Sequence, residues 1–155
     1  MGTFNNKISA EFHPPRKWIL ERLLSYKNEE INTEALINIG IGGKKHEVRC
    51  TKGFVTDLAS VPRAIWWLIA PWDIARAAII HDLLYKKIRL YRAAGGTDKQ
   101  NIAAAKKASD NVFLMAMKDA APSVSKWKIY AAYYAVVLFG RWSIIPRKED
   151  LDATR

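Results

Sequence analysis

The sequence predicts an α+β fold, in which a small antiparallel N-terminal β-sheet is followed by three to four helices. Apolar segments in the first third are short, contain mainly Ile and Leu, and are separated by polar turns, as in strands. Beyond Ser60 the apolar segments are longer and begin at residues that cap helices. The chain has 155 residues, which suits one domain. We predict a single domain over residues 1–145 and a polar, frayed tail over residues 146–155.

Three short strands are expected before the helices. The first covers residues 18–26, which follow two prolines and are rich in Trp, Ile and Leu. Residues 28–33 form a polar turn. The other strands cover residues 35–41 and 46–50, and the glycines and lysines between them predict a hairpin.

The first predicted helix is short. Ser60 provides an N-cap hydroxyl and Pro62 lies in the first turn, so the helix begins there and ends near Pro71.

Three longer helices follow in the second half. Asp73 caps a helix over residues 74–91, and Gly95 with Gly96 ends that segment. The next helix begins at Thr97 or Asp98 and runs to about residue 120. Ser123 or Ser125 opens the last one, which ends near residue 140.

The composition restricts the class of protein. Lys and Arg outnumber Asp and Glu by 25 to 15, a net charge of +10 that favours anionic partners. The basic residues are scattered and no nucleic-acid-binding motif accompanies them, so nucleic acid is not expected. One cysteine excludes a disulfide-stapled secreted scaffold. Neither a Sec signal nor an apolar run of the roughly 18 residues that span a bilayer is present.

Three polar residues on two helices are the strongest candidates for chemistry. His81 and Tyr85 are four residues apart and share one helix face. His81 lies 14 residues before Gly95 and Asp110 lies 15 residues after it. On antiparallel helices that rise about 1.5 Å per residue, the two therefore stand at nearly the same level. We expect Asp110 to accept hydrogen bonds from His81 and Tyr85 and so to orient a general base.

Two neighbouring carboxylates allow more than one interpretation. Asp82 lies on the next face of the helix, where it is placed to ligate a cation, to bind an arginine or to pair with Lys86 on the surface. Asp57, in a Thr-Asp-Leu-Ala-Ser turn, is either a functional carboxylate or a residue that caps loop amides.

Most of the chain, from about residue 18 to residue 140, resembles a family of uncharacterised phage and prophage proteins. The resemblance consists of a Gly-Phe-x-Thr-Asp-x-Ala-Ser-x-Pro-Arg loop, a His-Asp-x-Leu-Tyr helix, an Asp-x-x-Phe helix and a closing aromatic helix. The matching residues are Gly53-Phe54, Thr56-Asp57, Ala59-Ser60, Pro62-Arg63, His81-Asp82, Tyr85, Asp110, Phe113 and Phe139-Gly140. The resemblance implies a phage source and a location in the virion or the host cytoplasm. It implies no established activity, and Thr56, Ser60 and Arg63 are expected to support the cleft.

A second resemblance covers residues 75–113. His81-Asp82-x-x-Tyr85 followed by Asp110-x-x-Phe113 is similar to the helical pair of the phospholipase A2 superfamily, especially its disulfide-free viral capsid members. This resemblance implies that His81 activates a water, that Asp82 holds Ca²⁺, and that Tyr85 and Asp110 support the histidine.

The calcium loop of that superfamily has no clear counterpart here. In the superfamily the loop is rich in glycine and precedes the histidine helix, whereas this chain has no glycine between Gly53 and Gly95. Either Asp57 and nearby carbonyl oxygens take its place, since Ca²⁺ prefers several oxygen ligands, or no Ca²⁺ binds.

Aromatic residues form a further group near these motifs. Trp66, Trp67 and Trp72, with the Trp and Tyr residues of the last helix, are expected at an interface between an apolar and an aqueous phase. The last helix has basic ends and an apolar middle, so it is either a core helix or a surface that lies on a bilayer or docks on a protein.

Three functions remain open. The first is a phage-encoded lipid-ester hydrolase that uses His81 and Asp110 at an anionic lipid surface. The second is a non-enzymatic virion, tail or host-modulating protein that binds a phage or host protein, with a structural polar cluster. An open cleft at His81 would favour the first and a sealed one the second. The third, a metal-dependent phosphohydrolase, would need His46 on a helix, whereas His46 lies in a strand-like segment.

Overall fold

Short antiparallel strands dominate the first part of the chain and helices the second, which confirms the predicted α+β class. The computed structural model describes residues 1–14, 17–41, 44–57, 74–120 and 123–155. The predicted helix from Ser60 to Pro71 and its N-cap, and the predicted cap Asp73, lie outside the described residues.

Among the described residues, the strands form two three-stranded antiparallel sheets instead of one. One sheet has the order β1-β4-β5 and the other the order β2-β3-β6. Their bounds are β1 (Thr3–Phe4), β2 (Ala10–His13), β3 (Lys17–Leu20), β4 (Leu24–Lys27), β5 (Glu47–Cys50) and β6 (Val55–Thr56).

The prediction of one strand over residues 18–26 is wrong, because the chain changes sheets within it. β3 pairs with β2 and β6, whereas β4 pairs with β1 and β5. Residues 21–23 bend between the two strands, and Leu20 and Leu24 on either side of the bend are both buried. The apolar residues of this segment therefore belong to the ends of two strands, β3 and β4, that both face the core.

A helix replaces the second predicted strand. α1 (Thr33–Ile37) takes the first three residues of the segment expected as the strand over residues 35–41, and no strand follows in its described remainder. The Asn32 side chain accepts a hydrogen bond from the Ala35 amide at 3.2 Å, and Gly40 takes a φ of +80° shortly after the helix ends. A local cap and a glycine stop thus outweigh the short apolar run.

The described residues on either side of the predicted hairpin do not pair with each other. The strand expected over residues 46–50 is present as β5, but it pairs with β4, with Leu24 opposite Cys50 and Lys27 opposite Glu47.

Three long helices agree with the predicted ones: α2 (Ala75–Ala93), α3 (Lys99–Lys118) and α4 (Lys126–Ser143). Asp98 caps α3 by accepting hydrogen bonds from the amides of Gln100 and Asn101. The turn between α2 and α3 includes Gly95 at a φ of +94°, a conformation that costs glycine little. Because this connection is short, α3 returns antiparallel along α2.

The C-terminal residues are ordered against α2, so the prediction of a frayed tail is wrong. They form α5 (Lys148–Ala153), whose Asp150 is buried. Arg89 Nε, also buried, donates to Asp150 Oδ2 at 2.9 Å. This ion pair ties the last helix to α2.

The main core lies between the β1-β4-β5 sheet and the long helices. Its fully buried side chains include Tyr26, Leu24, Ile80, Leu84, Val112, Phe113 and Val136. Within the described ranges, no helix has both the length and the apolar character needed to cross a membrane.

Candidate functional site

The hydrogen bonds expected from the helix spacing are present. His81 Nε2 on α2 lies 3.0 Å from Asp110 Oδ1 on α3, and the Tyr85 hydroxyl donates to the same oxygen at 2.6 Å. Two successive turns of α2 thus contact the same residue of α3. His81 and Asp110 are therefore paired through the interface of the two helices.

Lys106 completes the surroundings of Asp110. Its Nζ donates to Asp110 Oδ2 at 2.7 Å from one turn earlier on α3. Burial raises the pKa of Asp110, but the hydrogen bonds from His81, Lys106 and Tyr85 outweigh it and leave the pKa below its usual value. An ionised Asp110 can only accept, so His81 Nε2 carries a proton and donates it.

This tautomer defines the chemistry available to the imidazole. With Nε2 protonated, Nδ1 is the basic nitrogen of the neutral ring. Asp110 holds the ring in position and would stabilise the imidazolium formed if Nδ1 took a proton. An imidazole held in this way has the orientation that general-base chemistry requires.

The imidazole is fully enclosed. The exposed fraction of His81 is 0%, and its ring lies 4.0 Å from the Tyr85 ring and 4.8 Å from the Phe113 ring, centroid to centroid. A sealed histidine is the arrangement expected for the structural alternative.

The last long helix closes one side of the cluster. Lys106 Nζ also lies 3.3 Å from the backbone oxygens of Val136 and Val137 on α4. A Cβ atom placed on Gly140 would overlap the Tyr85 hydroxyl. Gly140 thus permits close approach of α4 to Tyr85, which explains a glycine inside a helix despite its cost of about 1 kcal/mol relative to alanine.

Asp82 lies in a second, separate environment on α2. The Thr56 hydroxyl at the end of β6 donates to Asp82 Oδ2 at 2.6 Å. Asp82 is 3% exposed, and its Oδ1 has no hydrogen-bond partner among the described residues. Burial raises the pKa of Asp82, and the Thr56 hydrogen bond offsets this only in part.

A small polar cavity adjoins Asp82. Its volume is about 90 Å³. It is lined by one apolar residue, Val55, and by seven charged ones: Lys17, Asp57, Asp82, Lys86, Arg89, Arg147 and Glu149. Asp57 does lie on the same cavity as Asp82, and Arg147 Nη1 is 3.2 Å from Asp57 Oδ2.

The surroundings of Asp82 do not form a calcium site from the described residues. Asp57 is bound by Arg147, and four basic side chains line the same cavity, which disfavours a divalent cation. The described residues contain no group of three or more His, Cys, Asp or Glu side chains placed for a metal. Ca²⁺ therefore stays a prediction of the resemblance.

Two other potential chemical groups are used structurally. His46 lies in a turn with a φ of +59°, and its Nδ1 is 3.1 Å from the Ile31 carbonyl oxygen. It is not on the helix that the phosphohydrolase hypothesis requires. Cys50 is buried, and burial raises the pKa of its thiol to about 12, so it is not a nucleophile near neutral pH.

Several predicted site residues cannot be placed. The loop residues Ser60 and Arg63 and the aromatic residues Trp66, Trp67 and Trp72 lie outside the described part of the chain. Thr56 is placed, and it contacts Asp82 directly.

Lys106 and Gly140 are the site residues that the sequence prediction assigned no role. A signal existed for each: Lys106 is four residues before Asp110 on a helix, the spacing of an ion pair, and Gly140 interrupts an apolar helix.

Fold and site together define an α+β protein with a buried His-Asp-Tyr cluster on an antiparallel helix pair. The chain belongs to the family described as Protein of unknown function (DUF1353), whose model matches residues 38–136. The matched segment includes Asp57, His81, Asp82 and Asp110. The predicted membership of an uncharacterised family is thus confirmed. No curated protein and no solved structure shows a significant match to the chain.

Proposed function

We propose that the protein is a hydrolase of lipid esters in which His81 is the general base and Asp110 and Tyr85 position it. The single observation that supports the proposal most is the convergence of His81 Nε2 and the Tyr85 hydroxyl on one oxygen of Asp110. The contact was expected on two independent grounds, the resemblance to phospholipase A2 and the geometry of the helix pair.

The reaction needs one water and one ester. His81 Nδ1 takes a proton from the water, whose oxygen forms a bond to the ester carbonyl carbon and gives a tetrahedral anion. As the anion collapses, the bond from carbon to the alcohol oxygen breaks and that oxygen takes the proton from Nδ1. A carboxylic acid and an alcohol leave, and His81 returns to its neutral form.

Asp82 favours a functional site over a purely structural network. A stabilising polar network satisfies its buried atoms, whereas Asp82 has one oxygen without a partner among the described residues and carries a raised pKa one residue from His81. Perturbed carboxylates of this kind concentrate at functional sites.

A second candidate function is supported by the enclosure of His81. With an exposed fraction of 0% and Asp110 also bound by Lys106, the cluster has the features of a lock between α2, α3 and α4. The protein would then be a non-enzymatic phage component that binds a phage or host protein. Hydrolysis, by contrast, requires a movement that opens the site to substrate.

Vesicles of an anionic phospholipid test the two candidates. Wild-type protein and His81→Ala are compared with and without Ca²⁺, by release of fatty acid. His13→Ala is the matched control, since His13 is exposed on β2. We expect release by the wild type and by His13→Ala, and a loss of about 100-fold or more in His81→Ala. Equal release by all three proteins, or none, would count against the hydrolase and for the second candidate.

We also propose a phage origin, with the protein acting in the virion or the host cytoplasm. The loop and helix motifs shared with phage and prophage proteins support this proposal. A genomic position among phage structural or lysis genes is the expected finding; a position in a conserved bacterial operon would oppose it.

A further inference from the structure

More than half of the large apolar side chains that the described part of the chain exposes lie on α4. Trp127, Tyr134 and Leu138 have exposed fractions of 56%, 57% and 62%. They are spaced by seven and four residues, so they line one side of the helix. The remaining large exposed side chains in this region are Tyr130, Val137, Phe139, Trp142 and Ile145.

Exposure of this apolar face to water is unfavourable. The opposite side of α4 places Ile129, Ala132 and Val136 in the core, so the helix is apolar on both sides. A helix of this kind is either buried on all sides or in contact with a non-aqueous phase. Since the described residues cover only one side, we infer that the other side contacts an external partner.

The charges around this face identify the partner. α4 contains no acidic residue, and cations lie over exposed rings: Lys118 over Tyr130 at 5.4 Å, Lys128 over Trp127 at 5.9 Å and Arg141 over Trp142 at 4.2 Å. Trp and Tyr rings next to Lys and Arg are typical of the boundary between lipid headgroups and acyl chains. The net charge of +10 acts in the same direction.

We propose that the outward face of α4 docks on a bilayer surface rich in anionic lipid, with its rings among the headgroups and its axis along the membrane plane. A second copy of the chain is a poorer partner, because the same cations would face each other. The proposal is independent of ester hydrolysis, so a protein without any activity would still bind.

Co-sedimentation with vesicles tests it. Wild-type protein is mixed with phosphatidylcholine vesicles and with vesicles that contain phosphatidylglycerol as well. We expect binding to the anionic vesicles that weakens as NaCl is raised, and binding at least about tenfold weaker to the neutral ones. His81→Ala should bind like the wild type.

Matched variants assign the binding to α4. Tyr134→Ser with Leu138→Ser should weaken binding about tenfold or more, whereas Leu151→Ser, an exposed leucine on α5, should bind like the wild type. Charge reversal by Arg141→Glu should also weaken binding, and Lys52→Glu, exposed elsewhere, should do so less. Circular dichroism checks that each variant is folded, and Leu138→Ser alone is the milder variant.

Three results would overturn the proposal. One is the absence of binding to anionic vesicles at low salt. Another is equal binding by the wild type and the Tyr134, Leu138 variant, which would indicate attraction by scattered charges alone. The last is a wild-type dimer in light scattering that the same variant converts to a monomer, since the face would then bind a second copy.

Discussion

His81 on α2 and Asp110 on α3 are joined by a hydrogen bond of 3.0 Å in an interior that hides both side chains. The bond holds the imidazole proton on Nε2 and leaves Nδ1 as the basic nitrogen. Because Tyr85 donates to the same oxygen and Lys106 to the other, Asp110 is the centre of the cluster. The consequences for stability and activity can be measured separately.

Removing the Asp110 carboxylate should destabilise the fold strongly. Asp110→Ala leaves Lys106, His81 and Tyr85 without their acceptor, which we expect to cost about 3–5 kcal/mol, or roughly 6–20 °C in Tm for a domain of this size. Asp110→Asn keeps an acceptor and should lose less. Thermal unfolding followed by circular dichroism measures both, and a Tm of Asp110→Ala equal to that of the wild type would disprove the network.

The stability should also depend on pH through Asp110. Its pKa in the folded protein is lowered, chiefly by the hydrogen bond from His81 against the opposing effect of burial. The stability that ionised Asp110 contributes is therefore fully present above its pKa in the unfolded chain, about 3.9. It is lost as the pH falls through the lower pKa of the folded protein. Urea unfolding between pH 3 and pH 6 should show a smaller loss in Asp110→Asn than in the wild type; parallel curves would contradict this.

Gly140 should be coupled to the Tyr85 hydroxyl. A Cβ at residue 140 overlaps that hydroxyl, so Gly140→Ala should cost about 1–3 kcal/mol. In a Tyr85→Phe background the hydroxyl is absent, and the same substitution should cost less. A double-mutant cycle of unfolding free energies measures the difference. Additive costs would mean that α4 does not approach Tyr85 as the structure has it.

Asp82 should limit stability near neutral pH. Burial raises the pKa of Asp82 in the folded protein. The stability that protonated Asp82 contributes is therefore fully present below its pKa in the unfolded chain, about 3.9. It is lost as the pH rises through the pKa of the folded protein. We expect Asp82→Asn to gain Tm over the wild type at pH 7 by roughly 2–4 °C, and to gain less at pH 4. Asp152→Asn, an exposed carboxylate on α5, is the control. A loss of Tm in Asp82→Asn at pH 7 would contradict the assignment.

The buried pair of Arg89 and Asp150 should make the C-terminal helix part of the fold. Asp150→Ala leaves the Arg89 guanidinium buried without its carboxylate and should cost about 3–5 kcal/mol. Asp152→Ala, two residues on and exposed, should change the unfolding free energy by less than about 0.5 kcal/mol. Equal effects of the two substitutions would show that α5 does not pack on α2.

The contact between His81 and Asp110 was predictable because two constraints act on it along the chain. Helical period places His81 and Tyr85 on one face, and a short turn at Gly95 sets the level of Asp110 on the returning helix. Such local geometry does not depend on the rest of the fold.

Features that depend on distant packing were not predictable in this way. The sequence pattern places Leu20 and Leu24 in one strand, whereas they belong to strands of two different sheets. The start of α1 depends on a single cap, Asn32. The roles of Lys106 and Gly140 depend on the packing of α4 against α2 and α3. Asp150 likewise belongs to a polar segment of the sequence, and only its contact with the distant, buried Arg89 on α2 gives it a place in the fold.

Hydrolysis of a soluble short-chain ester tests the central claim, that His81 acts as a general base, without any requirement for membrane docking. Initial rates of carboxylic acid release are compared for wild-type protein, His81→Ala and the control His13→Ala. The account predicts measurable hydrolysis by the wild type and His13→Ala, and a decrease of about 100-fold or more in His81→Ala. Equal rates in wild type and His81→Ala, or no hydrolysis by any folded protein, would contradict it.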